Sequence, residues 1–189
     1  MRIVFLTLLG TFLLLSLVGL ALPERARIEG SLSIAATPAE IHALVDDFEA
    51  WPKWHPMFAD PAHAGLRIEY GESSAGVGGQ MLLQLGTHFA ALFTIVVSKS
   101  TSGVEIELRS GPQTVDLWRG EGVFSLESIR LTPDGAGTQV TWTQIGAKSS
   151  LAMERVLQAL LVRRRIRTQI EAALQGLAAE VTGTEVVPE

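Results

Sequence analysis

Few side chains of this sequence stand in patterns that are typical of catalysis. Arg119 and Glu121 are two residues apart in one predicted strand, and a similar charged row lies at positions 105, 107 and 109. Residues two apart in a strand share a face, and the face opposite Arg119 and Glu121 is the more apolar one. We therefore expect these charges to form solvated ion pairs, not a buried acid–base pair.

The four histidines do not form a metal-binding or nucleophilic pattern. His42, His55, His63 and His88 have no histidine partner at helical spacing, and no Ser/His/Asp arrangement is present. The sequence has no cysteine, which excludes disulfides, thiolate zinc sites, iron–sulfur clusters and cysteine nucleophiles. We expect no catalytic residue, no metal and no cofactor. We expect each histidine to be exposed or capped, and the alternative for His55, beside Trp54, is a position that points into the mouth of a cavity.

Two further groups of side chains have two explanations each. Trp51, Trp54 and Pro56 either close the end of the fold by packing or form the rim of a ligand portal. Four arginines in five residues, at 163–165 and 167, either form a solvated helix face with i,i+4 ion pairs or dock to anionic lipid headgroups.

The sequence opens on a hydrophobic segment. From Ile3 to Leu22 no residue is charged. Twenty helical residues at ~1.5 Å each span about the ~30 Å of a bilayer's hydrocarbon core. We expect a transmembrane anchor or a signal segment over 1–23, and the length favours the anchor because cleavable signals have apolar stretches of ~7–15 residues. The positive charges on the two sides of the segment are nearly equal in number, so they do not decide its orientation. The short N-terminal tail and the export-like layout predict a single-pass membrane protein with an extracytoplasmic domain.

The rest of the sequence predicts one α+β domain over 24–182 and a flexible tail over 183–189. Arg27–Ala35 alternates as a half-buried strand, and Thr37-Pro38-Ala39-Glu40 has the capping box and the proline of a helix start. Ser149–Val181 has the period of one long amphipathic helix. Short turns favour antiparallel pairing of the intervening strands, predicted at 66–70, 79–85, 88–98, 104–109, 115–131 and 138–145.

One apolar sheet face and one apolar helix stripe are buried together when the helix lies across the sheet. A strongly curved sheet leaves space beneath the helix, and small inward residues such as Gly30 and Ala91 are compatible with a hollow there. In each strand, the apolar positions indicate which of the alternating side chains face the hollow. They predict that the hollow is lined by Trp54, Met81, Leu83, Phe93, Val104, Ile106, Trp118, Phe124, Trp142 and Leu160.

The start of this domain resembles the SRPBCC superfamily, also called START-like, which includes the polyketide cyclase/dehydrase family. The resemblance lies in Ile34–Asp47 and in Trp51-Pro52-Lys53-Trp54-His55-Pro56, and Gly137–Trp142 is similar to the family's glycine turn and final strand. It covers residues 27–180 and implies a helix-grip fold, in which a curved antiparallel sheet of about seven strands wraps around a long C-terminal helix. It also implies a cavity for lipids, sterols, polyketides or other apolar molecules, and a minority of the superfamily are cyclases or hydratases.

Three functions remain open from the sequence. The first is a membrane-associated protein that binds or transfers a hydrophobic small molecule or lipid in the cavity, driven by apolar burial. The second is a cyclase- or hydratase-type enzyme in the same cavity, which requires a titratable group facing the hollow. The third is an interaction protein, which a large exposed apolar patch would indicate. A net charge of −5 argues against nucleic acid as a partner.

Overall fold

The computed structural model describes residues 2–86, 89–112, 117 and 122–183. Helix α1 is followed by a strand, two short helices, two single 3₁₀ turns, six more strands and a long C-terminal helix with a π turn inside it. The elements are α1 (Arg2–Ala21), β1 (Arg27–Ile34), α2 (Pro38–Val45), α3 (Trp51–Trp54), 3₁₀ turns (Pro56–Phe58, Pro61–His63), β2 (Arg67–Tyr70), β3 (Gln80–Leu85), β4 (Phe89–Lys99), β5 (Gly103–Gly111), β6 (Val123–Asp134), β7 (Gly137–Ile145), α4 (Ala152–Leu157), the π turn (Gln158–Val162) and α5 (Arg163–Thr182).

The seven strands form one antiparallel sheet in the order β1-β7-β6-β5-β4-β3-β2. The first strand therefore pairs with the last one, and the remaining strands follow as a meander in which sequence neighbours pair with each other. Helix α5 lies against the concave face of this sheet. The predicted α+β class and helix-grip fold are confirmed.

Helix α2 starts where the sequence predicts. The Thr37 hydroxyl accepts a hydrogen bond from the backbone N–H of Glu40 at 3.3 Å, and the Glu40 carboxylate accepts one from the backbone N–H of Thr37 at 2.8 Å. This hydrogen bond lowers the pKa of Glu40, because it favours the ionised carboxylate. Pro38 occupies the first turn, where no N–H is needed. A local signal therefore fixes this helix end.

Two glycines let α5 approach the rest of the domain closely. A Cβ on Gly30 of β1 would lie 2.8 Å from Cγ2 of Ile170. A Cβ on Gly176 of α5 would overlap the carbonyl oxygen of Trp54, so backbone meets backbone at this crossing. The helix face between these points is buried through Ala173, Leu174 and Leu177. The C-terminal half of the helix is thus held tightly on the sheet and on α3.

The N-terminal half of the long helix does not continue this packing. The sequence places Leu157 and Leu160 on the same buried stripe as Leu174, but both leucines are exposed. The i→i+5 hydrogen bonds of the π turn widen the helix and rotate the side chains that precede it. In addition, α4 packs mainly against α1.

Helix α1 is long and apolar enough to span a membrane, and it is the one such helix among the described residues. Most of its side chains are exposed, and its least exposed positions are Leu15, Ser16 and Gly19, followed by Leu22 directly after the helix. A Cβ on Gly19 would overlap the carbonyl oxygen of Ala152, so the two helices touch along their backbones. The end of α1 is therefore joined to the start of the C-terminal helix.

We predict that Gly176→Ala lowers the free energy of unfolding by up to about 2 kcal/mol. The new methyl group must displace the Trp54 backbone, which costs about 1–3 kcal/mol, and alanine regains only ~1 kcal/mol over glycine in a helix. Thermal unfolding of the detergent-solubilised full chain, followed by tryptophan fluorescence, measures it. Gly10→Ala is the control, since no atom lies within 4 Å of that Cβ. An unchanged or higher Tm for Gly176→Ala would contradict the tight crossing.

Candidate ligand-binding site

A cavity of about 370 Å³ lies between the concave face of the sheet and α5. This volume is near the lower end of the range for small-molecule sites, ~300–1,000 Å³. The walls come from strands β3 to β7, from one face of α5, and from α3 with the turns that follow it. Apolar side chains form most of the lining, including Met57, Leu66, Leu83, Leu85, Phe89, Ala91, Phe93, Leu108, Trp142, Ile166, Ile170 and Ala173.

Three of the predicted lining residues lie in the cavity wall, namely Leu83, Phe93 and Trp142. Four others are buried in the adjoining core without lining the cavity: Trp54, Met81, Val104 and Ile106. The parity predicted for these strands is correct, because their core side chains share a face with the lining residues. Trp118 lies outside the described residues.

The predicted position of Phe124 is wrong by one register. Phe124 pairs with Arg109 across β5 and β6, and the Arg109 guanidinium lies 5.5 Å from the ring centre on the convex face. The inward residues of β6 are instead the odd-numbered ones, among them Glu127 and Ile129. The predicted strand 115–131 ran through Gly122, yet β6 begins at Val123, and Leu117 lies in a 3₁₀ turn.

The prediction that Leu160 lines the hollow from the helix is also wrong. Its side chain is 68% exposed, in the π turn beyond the part of the helix that covers the sheet. The helical lining comes from the next turns, through Ile166, Ile170 and Ala173. The cavity is therefore closed by α5 and not by the residues before it.

The tryptophans of the Trp-x-x-Trp motif have mainly a structural role. Trp51 Nε1 donates to the carbonyl oxygen of Val45, and Trp54 Nε1 donates to that of Leu44, each at 3.3 Å. Both indoles thereby satisfy carbonyl groups at the end of α2. Their rings pack against Trp142 at 5.9 and 6.1 Å between centroids. Trp51 also reaches the cavity wall, so it combines the two roles that the sequence left open.

Glu127 is a buried acid in the cavity wall and is not among the residues predicted to line it. Its side chain is 6% exposed, and its carboxylate accepts hydrogen bonds from Trp142 Nε1 and Gln144 Nε2, each at 3.2 Å. Burial raises the pKa of Glu127 from 4.5 to about 7, although the hydrogen bond from Trp142 opposes this shift. The alternation of Ile129 and Leu131 with exposed Arg130 would have placed Glu127 inward.

His55 is a second titratable group in the cavity wall, and its side chain is half-buried. Its ring stacks on Trp51 at 5.4 Å with an interplanar angle of 3° and meets Trp142 edge-on at 5.6 Å. Nδ1 accepts a hydrogen bond from the backbone N–H of Met57 at 3.2 Å, so the neutral ring carries its proton on Nε2. Burial lowers the pKa of His55 to about 4. His55 thus caps the turn that begins at Pro56, and its ring also lines the cavity.

The opening of the cavity is more polar. His63, whose Nδ1 lies 2.9 Å from the Met57 carbonyl oxygen, lines it together with the exposed residues Asp60 and Gln169. Within the part of the chain that the structure describes, no three His, Asp or Glu side chains converge in a way that could hold a metal ion. The site thus combines apolar walls, one buried carboxyl group and one half-buried imidazole.

The sequence of residues 25–182 matches the model of the family described as polyketide cyclase/dehydrase and lipid transport. The chain belongs to this family. It is accordingly a member of the SRPBCC superfamily, as the opening motif indicates. No curated protein matches the sequence.

Solved structures share the fold at low sequence identity. Norcoclaurine synthase from Thalictrum flavum aligns with a TM-score of 0.58 and 13% identity over 84% of this chain and 95% of its own. Ara h 8.0201 has a TM-score of 0.56 and 15% identity over 84% and 99% of the two chains. Protein CV1439 from Chromobacterium violaceum has a TM-score of 0.51 and 19% identity over 84% and 97%. At these identities the similarity shows the fold alone.

We predict that Glu127 and His55 give the stability opposite dependences on pH. Because the pKa of Glu127 is raised, the folded chain still holds a proton that the unfolded chain releases above pH 4.5. The contribution of Glu127 to the free energy of unfolding therefore falls as the pH rises from 4.5 to 7. The lowered pKa of His55 means that the unfolded chain binds a proton first, so its contribution rises between about pH 4 and 6.5.

Replacing one of the two groups should leave the pH dependence of the free energy of unfolding that comes from the other group. Glu127→Gln should leave a free energy of unfolding that rises with pH in this window, and His55→Phe should leave one that falls, each by up to about 3 kcal/mol. Unfolding of the detergent-solubilised chain at a series of pH values measures both. Parallel pH profiles for the two variants would contradict the assigned protonation states.

Proposed function

We propose that this protein binds or transfers a hydrophobic small molecule or lipid in the cavity between the sheet and α5. The observation that carries this proposal is the apolar lining of a cavity large enough for a small molecule, within a family whose description includes lipid transport. Binding energy would come from the apolar wall at about 25 cal/mol per Å² removed from water. The protein would therefore select its ligand mainly by size and shape.

Glu127 would fix the orientation of this ligand. Around neutral pH a large share of the Glu127 population is protonated, since its pKa is about 7. A protonated carboxyl group can donate a hydrogen bond and accept another, whereas Trp142 Nε1 can only donate. The preferred ligand is accordingly an apolar molecule with one polar acceptor, such as a hydroxyl or carbonyl group. A ligand without any polar atom would form no hydrogen bond with the Glu127 carboxyl group.

The membrane location is part of the same proposal. Helix α1 would serve as a single-pass anchor, with the domain on the extracytoplasmic side. Its length and composition support a bilayer span, and its packing against α4 supports a retained helix over a cleaved signal. An anchor would hold the cavity near the lipid bilayer, where apolar ligands are concentrated.

We predict that Ala91→Phe blocks ligand binding. Ala91 faces the cavity from β4, so a phenyl ring there would occupy ligand space. Native mass spectrometry of the full chain released from detergent micelles should show a bound molecule on the wild type, with occupancy lower by about tenfold or more in the variant. Ala35→Phe, at an exposed position after β1, is the control. Equal occupancy in both variants, or none on the wild type, would refute cavity binding.

An acid–base enzyme is the second candidate, and the buried carboxyl group of Glu127 is the observation that favours it. A carboxyl group with a pKa near the working pH can exchange a proton with a substrate. His55 is less suited, because its lowered pKa leaves it a weak base and its Nδ1 is already an acceptor.

Turnover of the bound molecule separates the two candidates. The molecule identified on the wild type is incubated with the full chain and followed by chromatography. An enzyme should convert it, and Glu127→Gln should slow conversion by about 10²–10⁴ while retaining binding, since the amide keeps the shape but cannot transfer the proton. A bound molecule that stays chemically unchanged on the wild type would support the binding protein and exclude this role for Glu127.

A further inference from the structure

Four apolar side chains lie exposed where α4 and the π turn lead into α5. These are Leu157, Leu160, Leu161 and Val162, which we call the leucine patch, and Leu160 and Leu161 are each 68% exposed. Single exposed leucines are common on protein surfaces, but a run of them on neighbouring helical positions marks an interaction surface. The patch does not belong to the cavity, since none of its members lines the wall.

The leucine patch is connected to α1 through α4. The two helices pack together, with Gly19 of α1 against the backbone of Ala152. Arg155 of α4 donates from its guanidinium to the carbonyl oxygen of Leu22 at 3.3 Å and lies 3.5 Å from the carboxylate of Glu24. These contacts tie α4 to the end of the apolar helix. Any bilayer that contains α1 is therefore adjacent to the patch.

The next residues along the helix are strongly basic. Arg163, Arg164, Arg165 and Arg167, which we call the arginine cluster, are all exposed. The sequence allowed i,i+4 ion pairs for them, but none of the four forms an ion pair with a residue that the structure describes, including Glu171. Four unpaired cations beside exposed leucines are the pattern of a helix at a membrane surface.

We propose that the leucine patch and the arginine cluster form a second membrane contact, on the leaflet that holds the C-terminal end of α1. The leucines would enter the interfacial region of this leaflet, and the arginines would bind its anionic headgroups. Arginine stems can lie along apolar surface while the guanidinium reaches the phosphate level, so leucines and arginines need not face the same way. A single membrane-spanning helix can still tilt and rotate in the bilayer together with the domain packed on it, whereas a second contact on the leaflet fixes the orientation of the domain.

This orientation has a consequence for the cavity, which rests on the proposed function. Ile166 lies within the arginine cluster and also lines the cavity, and the exposed residues Thr168 and Gln169 follow it at the cavity opening. Docking of the cluster would bring this opening close to the leaflet. An apolar ligand would then exchange between bilayer and cavity with a short path through water.

The experiment uses the full chain, which has no native cysteine, in vesicles of phosphatidylcholine and phosphatidylglycerol. A polarity-sensitive fluorophore is attached to Leu160→Cys, and quenchers carried on the lipid acyl chains report its contact with lipid. Val77→Cys is the matched control, because Val77 is also 68% exposed but lies in the turn before β3. Leu13→Cys in α1 reports insertion of the anchor itself.

We expect lipid quenching at position 160 several-fold above that at position 77 and similar to that at position 13. Replacing all four arginines by glutamine should lower quenching at position 160, because each arginine contributes about fivefold to partition onto an anionic leaflet. Quenching at position 13 should not change, since α1 still holds the chain in the membrane.

Three results would overturn the proposal. In the first, the label at position 160 is as exposed to water as the label at position 77. In the second, the label at position 160 is shielded from water but not quenched by lipid. In the third, quenching at position 160 is the same with and without the four arginines. The second result would indicate that protein, such as a second copy of the chain, covers the patch. Ala91→Phe separates this proposal from ligand binding, because it should lower ligand occupancy by about tenfold or more and leave the quenching at position 160 unchanged.

Discussion

The cavity depends on where the long helix is held against the sheet. Its C-terminal half is fixed by two contacts that only glycine permits, Gly30 against Ile170 and Gly176 against the Trp54 backbone. Its N-terminal half is rotated by the π turn and packs towards α1. A curved sheet beneath a helix that is held at one end leaves a space on the other side of the contact. The hollow is therefore a product of backbone proximity at one end of the helix.

Both ionisable groups in the enclosed part of the wall are kept neutral by the same physical cause. Burial disfavours the charged form of any group, so it raises the pKa of Glu127 and lowers the pKa of His55. At mildly acidic pH the carboxyl group holds its proton and the imidazole does not. The wall then offers hydrogen-bonding groups without a net charge, which suits an apolar molecule with one polar atom better than an ionic one.

Apolar surface outside the core is concentrated at one end of the molecule. Helix α1 and the leucine patch are both exposed, and the contact between Gly19 and Ala152 joins their helices. The charged groups around this junction are distributed unevenly, since Arg155 and Lys148 pair with Glu24 while the arginine cluster has no described partner. Structure and charge together thus distinguish the end of the domain that faces α1 from the rest of its surface.

The sequence alone determined the elements whose signals are local. The capping box of Thr37 and Glu40, the alternation around Val104 and Ile106, and the apolar run of α1 each depend on residues close in the chain. Tertiary structure decided the rest, because burial depends on what packs opposite. A strand has a period of two, so an alternation counted through Gly122 assigns the wrong face to every residue of β6. The strand begins only at Val123, and its register with β5 places Phe124 on the outer face and Glu127 in the cavity wall. The helix period equally predicted Leu160 as buried, but the π turn and the contact with α1 left it exposed, and no pattern within the helix could reveal that partner.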